Sequence, residues 1–572
     1  MQILLPDFMR FGRLRSLGLV GFVIAVLAGT SAEASSTITG SEPRASRPPA
    51  VLRAIPTFHS IGLYWRAQSG SPQREAVVRY REQGSSSWQQ GHSLWFDERN
   101  LREAPQRSRE YRGSIVGLKP GTEYEIEVEV KGEGETGRVA IRTWREEFPV
   151  GKSVQLEAKS GETLKIRESG TPTGYVLYEP KPGSRATIDV EGRSDNNIVI
   201  DAAYVIVRGL DLKNAASNAI VLGPNAHDVV IEDNDISGWG RIAEDGWGVD
   251  EDAAITNGRR ASPSMRRFII QRNRIHHPRS NANNWKQRRA NESYHPAGPH
   301  AIFLWDTVGN HVIRYNNIYS DPDHYFNDGI GGGRNFGAGG APGSDSDIYG
   351  NSIANCWDDA IESEGGNVNV RIWGNLIDQC YVMIGAASTL VGPLYIFRNV
   401  GLRANYTHAH TLNTGIFIKA KAETQKGQVF GGGRVYVYHN TLYRTSPAEG
   451  TYAGITSFGT PLMNYVTRNN IFDNTEAAID DPTKEMSNDF DYDLFAAPVG
   501  SDTRHQSHGR QAAPEYDLLS GSFALKEGTP GHDDGVVIPN FNDGFKGAGP
   551  DRGAQEAGLP PLKFGIPNVF TD

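Results

Sequence analysis

The sequence predicts an all-β protein in which a small β-sandwich precedes a long stack of parallel coils. The composition supports this prediction, because 65 glycines and 38% hydrophobic residues among 572 are typical of turn-rich β proteins. The first part of the chain has short alternating strands, and most of the remainder repeats one short phrase. A chain of this length also exceeds one ordinary core, so we expect several domains or a repeat.

The start of the chain has the pattern of a cleaved export signal. Three arginines precede an apolar run that ends at Ala28, and Ala32-Glu-Ala34 fits a small-x-small cleavage site. The run is short for a membrane span. We therefore predict a signal peptide at residues 1–34, a linker at 35–49, and a secreted or periplasmic protein without membrane attachment after cleavage. The formal net charge of −9 argues against nucleic acid as a partner.

Residues 50–146 have the pattern of a small sandwich. Tyr124-Glu-Ile-Glu-Val-Glu-Val130 alternates strictly, and a Lys-Pro-Gly turn stands just before Tyr124, as in the tyrosine corner of a sandwich. The segment resembles a fibronectin type III domain, which implies an accessory domain without chemistry.

A two-part repeat occupies residues 147–510. Its first part is a small residue followed by Ile, and its second part is an apolar strand ending in Asn-x-Ile or a variant. The isoleucines of the first part are Ile220, Ile255, Ile302, Ile330, Ile361, Ile416 and Ile455. The asparagines of the second part are Asn234, Asn273, Asn316, Asn351, Asn375, Asn440 and Asn469.

Coils of this length must stack to bury their apolar side, and extra residues are pushed outward as loops. The repeat therefore looks like a right-handed parallel β-helix with Ile inside and asparagines stacked at a turn. Residues 511–572 are expected to close it. Cys356 and Cys380 are 24 residues apart, one coil, so they should stack. Strand spacing permits stacked thiols or a disulfide, and thiols are favoured.

One coil carries an unusual concentration of acid. Asp358, Asp359, Glu362 and Glu364 lie within seven residues. When the coils are aligned on the repeated Ile, Asp328 and His300 fall on earlier coils in the column of Asp359. Trp305 and Lys419 fall in the column of Glu364. Because side chains alternate along a strand and the Ile points inward, the columns of Glu362 and Glu364 are predicted to face solvent. All these residues should then gather on one face, with His300, Trp305, Glu364 and Lys419 binding substrate.

The spacing of these carboxylates suits glycoside hydrolysis. Neighbouring coils place Asp328 and Asp359 roughly 5 Å apart, and Glu362 and Glu364 are roughly 6.6 Å apart along a strand. Glycosidases use carboxylates about 5 Å or roughly 6.5–9.5 Å apart. Crowding should keep one of them protonated as an acid. We therefore predict a glycosidase with Asp328, Asp358, Asp359 and Glu362 as catalytic residues and no cofactor.

Three short stretches are similar to polygalacturonase-type glycosidases: Asn327-Asp-Gly, Asp358-Asp-Ala-Ile-Glu and Gly415-Ile-Phe-Ile-Lys419. The resemblance implies that Asp328 with Asp358 or Asp359 serves as acid and base, and that Lys419 contacts the sugar. The chain departs from that family in lacking its Gly-His-Gly after the Asp pair.

The same residues also look like those of calcium-dependent pectate lyases. In that alternative Asp328, Asp358, Asp359 and Glu362 bind Ca²⁺, and Lys419 or Lys421 abstracts a proton next to a uronate. The basic insertion with Lys286, Arg288 and Arg289 would then meet an acidic polysaccharide. A non-catalytic glycan-binding or adhesive protein is the third alternative.

Two further motifs have structural interpretations. The Gly-rich stretch from Gly331 lacks the ending of a phosphate-binding loop, so it is predicted to wall a groove. His408 and His410 have alternate spacing, and turn-edge positions are favoured over a metal site.

Overall fold

The computed structural model describes residues 51–260, 262–403, 414–425, 428–443, 451–473, 475–481, 487–497, 506–518 and 522–566. The predicted signal peptide lies outside the described residues, as do His408 and His410. Residues 49–572 form one compact unit. Among the described residues, no helix is long and apolar enough to span a membrane.

Two antiparallel sheets near the start of the chain form what we term the antiparallel module, a sandwich-like unit of residues 53–142. Its apolar core includes Trp65 and Tyr111. The first sheet has the strand order Arg53–Pro56, Ile61–Trp65, Glu110–Ile115 and Trp95–Asp97. The second has the order Gln89–Gln90, Ala76–Glu82, Glu123–Val130 and Glu135–Arg142, and a 3-10 turn spans Pro105–Arg107.

The remainder is a parallel β-helix with three faces. The first face consists of Val150–Leu156, Tyr175–Pro180, Ala203–Arg208, His227–Glu232, Phe268–Gln271, Val312–Arg314, Asp347–Tyr349, Val370–Trp373, Leu394–Phe397, Val435–Tyr438, Tyr465–Arg468 and Asp489–Phe490. The second consists of Lys159–Ser160, Ala186–Asp189, Leu210–Lys213, Asp235–Ser237, Arg274–His276, Asn317–Tyr319, Ser352–Glu362, Leu376–Gly385, Val400–Gly401, Thr441–Leu442, Ile471–Phe472, Leu494–Phe495 and Arg510–Gln511.

The third face carries the acidic coil. It consists of Leu164–Ile166, Asn196–Ile200, Asn218–Leu222, Ala253–Thr256, His300–Phe303, Ile330–Gly331, Thr414–Lys419, Thr451–Thr456 and Thr475–Asp480. The long strands Ser352–Glu362 and Leu376–Gly385 bend from the second face onto the third and pair on both. Glu423–Gln425 and Gln428–Phe430 pair as a separate two-stranded antiparallel sheet.

Stacked asparagines hold one corner of the coils, which confirms the prediction. The side-chain oxygen of Asn375 accepts hydrogen bonds from the backbone and side-chain nitrogens of Asn351, at 3.0 Å each. The same arrangement continues through Asn399 and ends at Asp493. The member after Asn440 is Asn470, so the predicted choice of Asn469 was wrong by one residue. In that coil the asparagine directly precedes Ile.

Isoleucines fill the interior, as expected. Ile302, Ile330, Ile361 and Ile384 pair in register and are almost fully buried. Cys356 pairs in register with Cys380, and the two buried side chains are stacked thiols rather than a disulfide.

Candidate functional site

Pairing registers bring together most of the residues that the sequence singled out. His300, Asp328 and Asp359 each stand two residues before an isoleucine of the third face, on three successive coils. Lys419 was placed wrongly, because Ile418 rather than Ile416 takes the repeated position. Lys419 therefore lies in register with Gly385, which follows Glu362 in the same column, and not in the column of Glu364.

The expectation that these columns face solvent was also wrong. The exposed fraction is 6% for Asp328, 4% for Asp358, 1% for Asp359, 9% for Glu362 and 2% for Glu364. The side chains point away from the coil interior, but loops inserted between coils cover them. Carboxyl groups are rarely buried to this degree unless they have partners, so the contacts of each one determine what it can do.

Carboxyl oxygens of Glu362 and Asp328 both lie close to Gly331, which has no side chain. A Cβ atom at Gly331 would lie 3.0 Å from Oε2 of Glu362 and 3.4 Å from Oδ2 of Asp328. Glu362 accepts hydrogen bonds from the Gly332 N–H at 3.0 Å and from Nδ2 of Asn335 at 3.2 Å. Its described hydrogen-bond donors are thus both neutral.

Asp328 instead has a cationic neighbour. Its Oδ1 accepts the Asp359 N–H at 2.9 Å, and its Oδ2 lies 3.3 Å from Nδ1 of His300. Nε2 of His300 lies 3.4 Å from Oδ1 of Asp250. Burial lowers the pKa of His300, but hydrogen bonds to Asp250 and Asp328 and the charges of these two aspartates outweigh burial and raise the pKa to about 10. His300 is therefore held as an imidazolium between them.

Asp250 was missed by the sequence analysis. It belongs to a loop between coils, so it has no repeat position that would have marked it. The Asn327 side chain also donates to it, at 3.4 Å.

Lys419 joins two carboxylates. Its Nζ lies 2.7 Å from Oδ2 of Asp359 and 3.1 Å from Oε1 of Glu364. Gly385 makes this contact possible, because a Cβ there would lie 2.5 Å from Oδ2 of Asp359. Burial lowers the pKa of Lys419, but the charges of Asp359 and Glu364 outweigh burial and raise this pKa well above its ordinary value.

The buried carboxyls retain protons to higher pH than usual. Burial raises the pKa of Glu362 well above its ordinary value, and Asp328 and Glu364 raise it further. Burial also raises the pKa of Asp358 against the charges of Lys419 and His295, and that of Asp359 against Lys419. Lys419 contacts Asp359 and Glu364, whereas the hydrogen-bond donors to Glu362 are neutral, so Glu362 is the carboxyl group best placed to serve as an acid.

Asp328, Asp358 and Asp359 form an oxygen-rich cluster. Carboxylate oxygens from the three lie within 4.8 Å of one another, and Oδ1 of both Asp358 and Asp359 accepts no hydrogen bond from any described residue. Hard oxygen donors of this kind fit Ca²⁺. Asp359, Glu362 and Glu364 form a second such cluster, so the four residues predicted for a calcium site are divided between two clusters that share Asp359.

The insertion of residues 280–300 borders this site. His295 lies 3.5 Å from Asp358 and packs against Trp285. Of the basic residues expected to meet an acidic polymer, Arg289 is half-buried and paired with Asp245 at 2.7 Å. Lys286 and Arg288 are exposed. Trp305 is half-buried, and the Arg259 guanidinium covers its ring at 4.8 Å.

Comparisons with known proteins found no matching family model and no matching curated protein. Among solved structures, an alginate lyase from Paenibacillus sp. str. FPU-7 is similar at 12% identity and TM-score 0.27, over 55% of this chain and 97% of that one. Pectate lyase PelI from Erwinia chrysanthemi has 11% identity and TM-score 0.16, over 63% and 87%. A GH87 alpha-1,3-glucanase catalytic domain has 8% identity and TM-score 0.25, over 81% and 90%. At these scores the similarities carry no argument about chemistry.

Proposed function

We propose that the protein is a secreted or periplasmic glycoside hydrolase that cleaves a polysaccharide with Glu362 as general acid and Asp328 as the second catalytic carboxyl group. The observation that supports this most directly is at Gly331, where carboxyl oxygens of Glu362 and Asp328 lie 3.0 and 3.4 Å from the position of a Cβ. A glycosidic oxygen and its sugar need two such groups in opposite protonation states.

The contacts of the two groups differ. Glu362 has neutral hydrogen-bond donors, and burial raises its pKa well above the ordinary value, which favours its protonated form. Asp328 instead lies 3.3 Å from the His300 ring nitrogen Nδ1. Asp359 and Asp358 border the same space. Lys419 contacts both Asp359 and Glu364 and so holds Asp359 in place.

A calcium-dependent lyase is the second candidate, and the unpartnered oxygens of Asp358 and Asp359 favour it. Bound Ca²⁺ would neutralise a uronate carboxylate there. The state of Lys419 argues against it as the base of such a lyase, because a general base must be neutral to accept a proton. Two carboxylates hold Lys419 as an ammonium. For this reason hydrolysis remains the proposal, and a glycan-binding protein without activity is the outcome if no polymer is cleaved.

The test is cleavage of a panel of neutral and uronate polysaccharides, with and without chelator. We expect new reducing ends without ultraviolet absorbance from an unsaturated product, and no loss of rate with chelator. Glu362→Gln and Asp328→Asn should each lower kcat by about 100-fold or more, whereas Asp235→Asn, a control carboxylate on the second face, should retain it. An unsaturated product that disappears with chelator would establish the lyase instead.

A further inference from the structure

Glu362 and Glu364 accept hydrogen bonds from residues outside their own segment of the chain, and these hydrogen bonds orient the two carboxyl groups. Oε1 of Glu364 accepts the Ala387 N–H at 3.3 Å, in the turn of residues 386–392 on the next coil. Glu362 accepts the Gly332 N–H and the Asn335 side chain, both in the loop of residues 331–341. Whatever fixes this turn and this loop also fixes the two carboxyl groups.

The antiparallel module fixes the turn. Arg112 is fully buried, and its guanidinium donates to the carbonyls of Gly392 at 2.9 Å and Val391 at 3.0 Å. Arg99 donates to Val391 at 3.2 Å and to Gly431 at 2.8 Å. Both arginines are also paired with buried Asp97. These are charge-assisted bonds, which are stronger than ordinary ones.

The turn passes this constraint directly to the acidic coil. The N–H of Gly365, one residue after Glu364, donates to the Ser388 carbonyl at 2.9 Å, and the Leu390 N–H donates to the Gly365 carbonyl at 2.9 Å. A short path of hydrogen bonds therefore connects the module to Glu364.

The module also packs against the loop. Leu101 and Ala104 belong to an apolar cluster with Val391 and Phe430, and Phe336 packs against that cluster. The rings of Phe336 and Phe430 are 5.9 Å apart. Phe336 directly follows Asn335, so the module supports the loop that donates to Glu362.

We propose that the antiparallel module is part of the catalytic unit, with Arg99 and Arg112 as positioning residues for Glu364 and, through the apolar cluster, for Glu362. This role rests on the proposed function of those carboxyls. It replaces the sequence-based interpretation of the module as an accessory domain without chemistry.

Arg99→Gln in the full-length chain is the first test. The Arg99 side chain is 28% exposed, and Arg112 keeps Asp97 paired, so the variant should fold. Hydrogen–deuterium exchange should increase in residues 363–366 and 386–392. On whichever polysaccharide of the panel the unaltered protein cleaves, kcat should fall about 10-fold with KM within about twofold, because small displacements of catalytic groups act mainly on the chemical step. Arg99→Lys should restore part of kcat.

Asn540→Ala is the matched control. Asn540 bonds both backbone groups of Val116 at 2.7 Å and the Tyr80 hydroxyl at 2.9 Å, so it attaches the same module to the C-terminal segment. These hydrogen bonds do not involve the turn, so the loss of the Asn540 side chain should leave kcat and exchange at 386–392 unchanged.

Three results would overturn the proposal. These are unchanged exchange in Arg99→Gln, unchanged kcat in both Arg99→Gln and Arg112→Gln at a temperature where they are folded, or an equal loss in Asn540→Ala. An unsaturated product from the unaltered protein would refute hydrolysis, but the comparison of Arg99→Gln with Asn540→Ala would still test positioning.

Discussion

Gly385→Ala tests whether the Asp359–Lys419 contact sets the geometry of the site. The added Cβ would lie 2.5 Å from Oδ2 and 2.8 Å from Cγ of Asp359. Since atoms at that distance repel strongly, the carboxylate must move by about 0.9 Å to regain van der Waals contact. Its bond to Lys419, now 2.7 Å, then lengthens or reorients. A displacement of about 1 Å can cost about 100-fold in rate, so we expect a 10- to 100-fold lower kcat, about 1.4–2.7 kcal/mol.

The assay is steady-state cleavage of the polymer found in the panel, together with thermal unfolding. The backbone at Gly385 is not in the left-handed conformation, so alanine causes no backbone strain there and its effect comes from the contact with Asp359. Gly544→Ala is the matched control, because an added Cβ at Gly544 has nothing within 4 Å. If Gly385→Ala keeps kcat within about twofold of Gly544→Ala, the Asp359–Lys419 geometry does not control the reaction.

Three further predictions concern stability and its dependence on pH. Because the pKa of Glu362 is raised in the folded state, the free energy of unfolding decreases as pH rises from near 4.5 through the folded pKa. Glu362→Gln should therefore reduce the dependence of the unfolding free energy on pH by about 1.4 kcal/mol per pH unit in urea titrations. An unchanged dependence on pH would contradict the raised pKa. The pKa of His300 in the folded protein is about 10, so its charge stabilises the fold fully below pH 6.5, and this stabilisation is lost as pH rises through 10. His300→Gln should therefore lower the free energy of unfolding more at pH 6 than at pH 10. An equal decrease at both pH values would indicate that His300 contributes by packing and not by its charge. Asn375→Ala should lower the free energy of unfolding by several kcal/mol, since each buried polar group left unpaired costs about 1–3 kcal/mol. Asn225 is exposed, so the control Asn225→Ala should change the free energy of unfolding little in the same denaturation assay.

The repeat could be recognised from the sequence because stacking imposes the same demand on every coil. Each coil must place Ile inside and satisfy its corner backbone, and the Asn side chain does the second. His300, Asp328 and Asp359 could be aligned because they precede such isoleucines by a fixed two residues. The error at Lys419 has a specific reason. Ile416 and Ile418 point to the same side of their strand, so alternation alone cannot decide which one continues the column.

The loops could not be predicted in the same way. Asp250, His295 and Asn335 reach the site from insertions, and their positions depend on how those insertions pack on neighbouring coils. The burial of the carboxyls depends on the same packing. Consequently the sequence located the acidic coil but could not indicate which carboxyl would hold a proton.

The difference between the two proposed catalytic groups arises from the coils on either side of them. Glu362 and Asp328 stand on adjacent coils and face the same space at Gly331. On one side, the preceding coil supplies His300, which lies 3.3 Å from Asp328 and 3.4 Å from Asp250. On the other side, the ammonium group of Lys419 contacts Asp359 and Glu364. Burial and the neighbouring carboxyl groups raise the pKa of Glu362 well above its ordinary value, and they outweigh the charge of Lys419. The arrangement of neighbouring coils therefore makes Glu362 the candidate general acid.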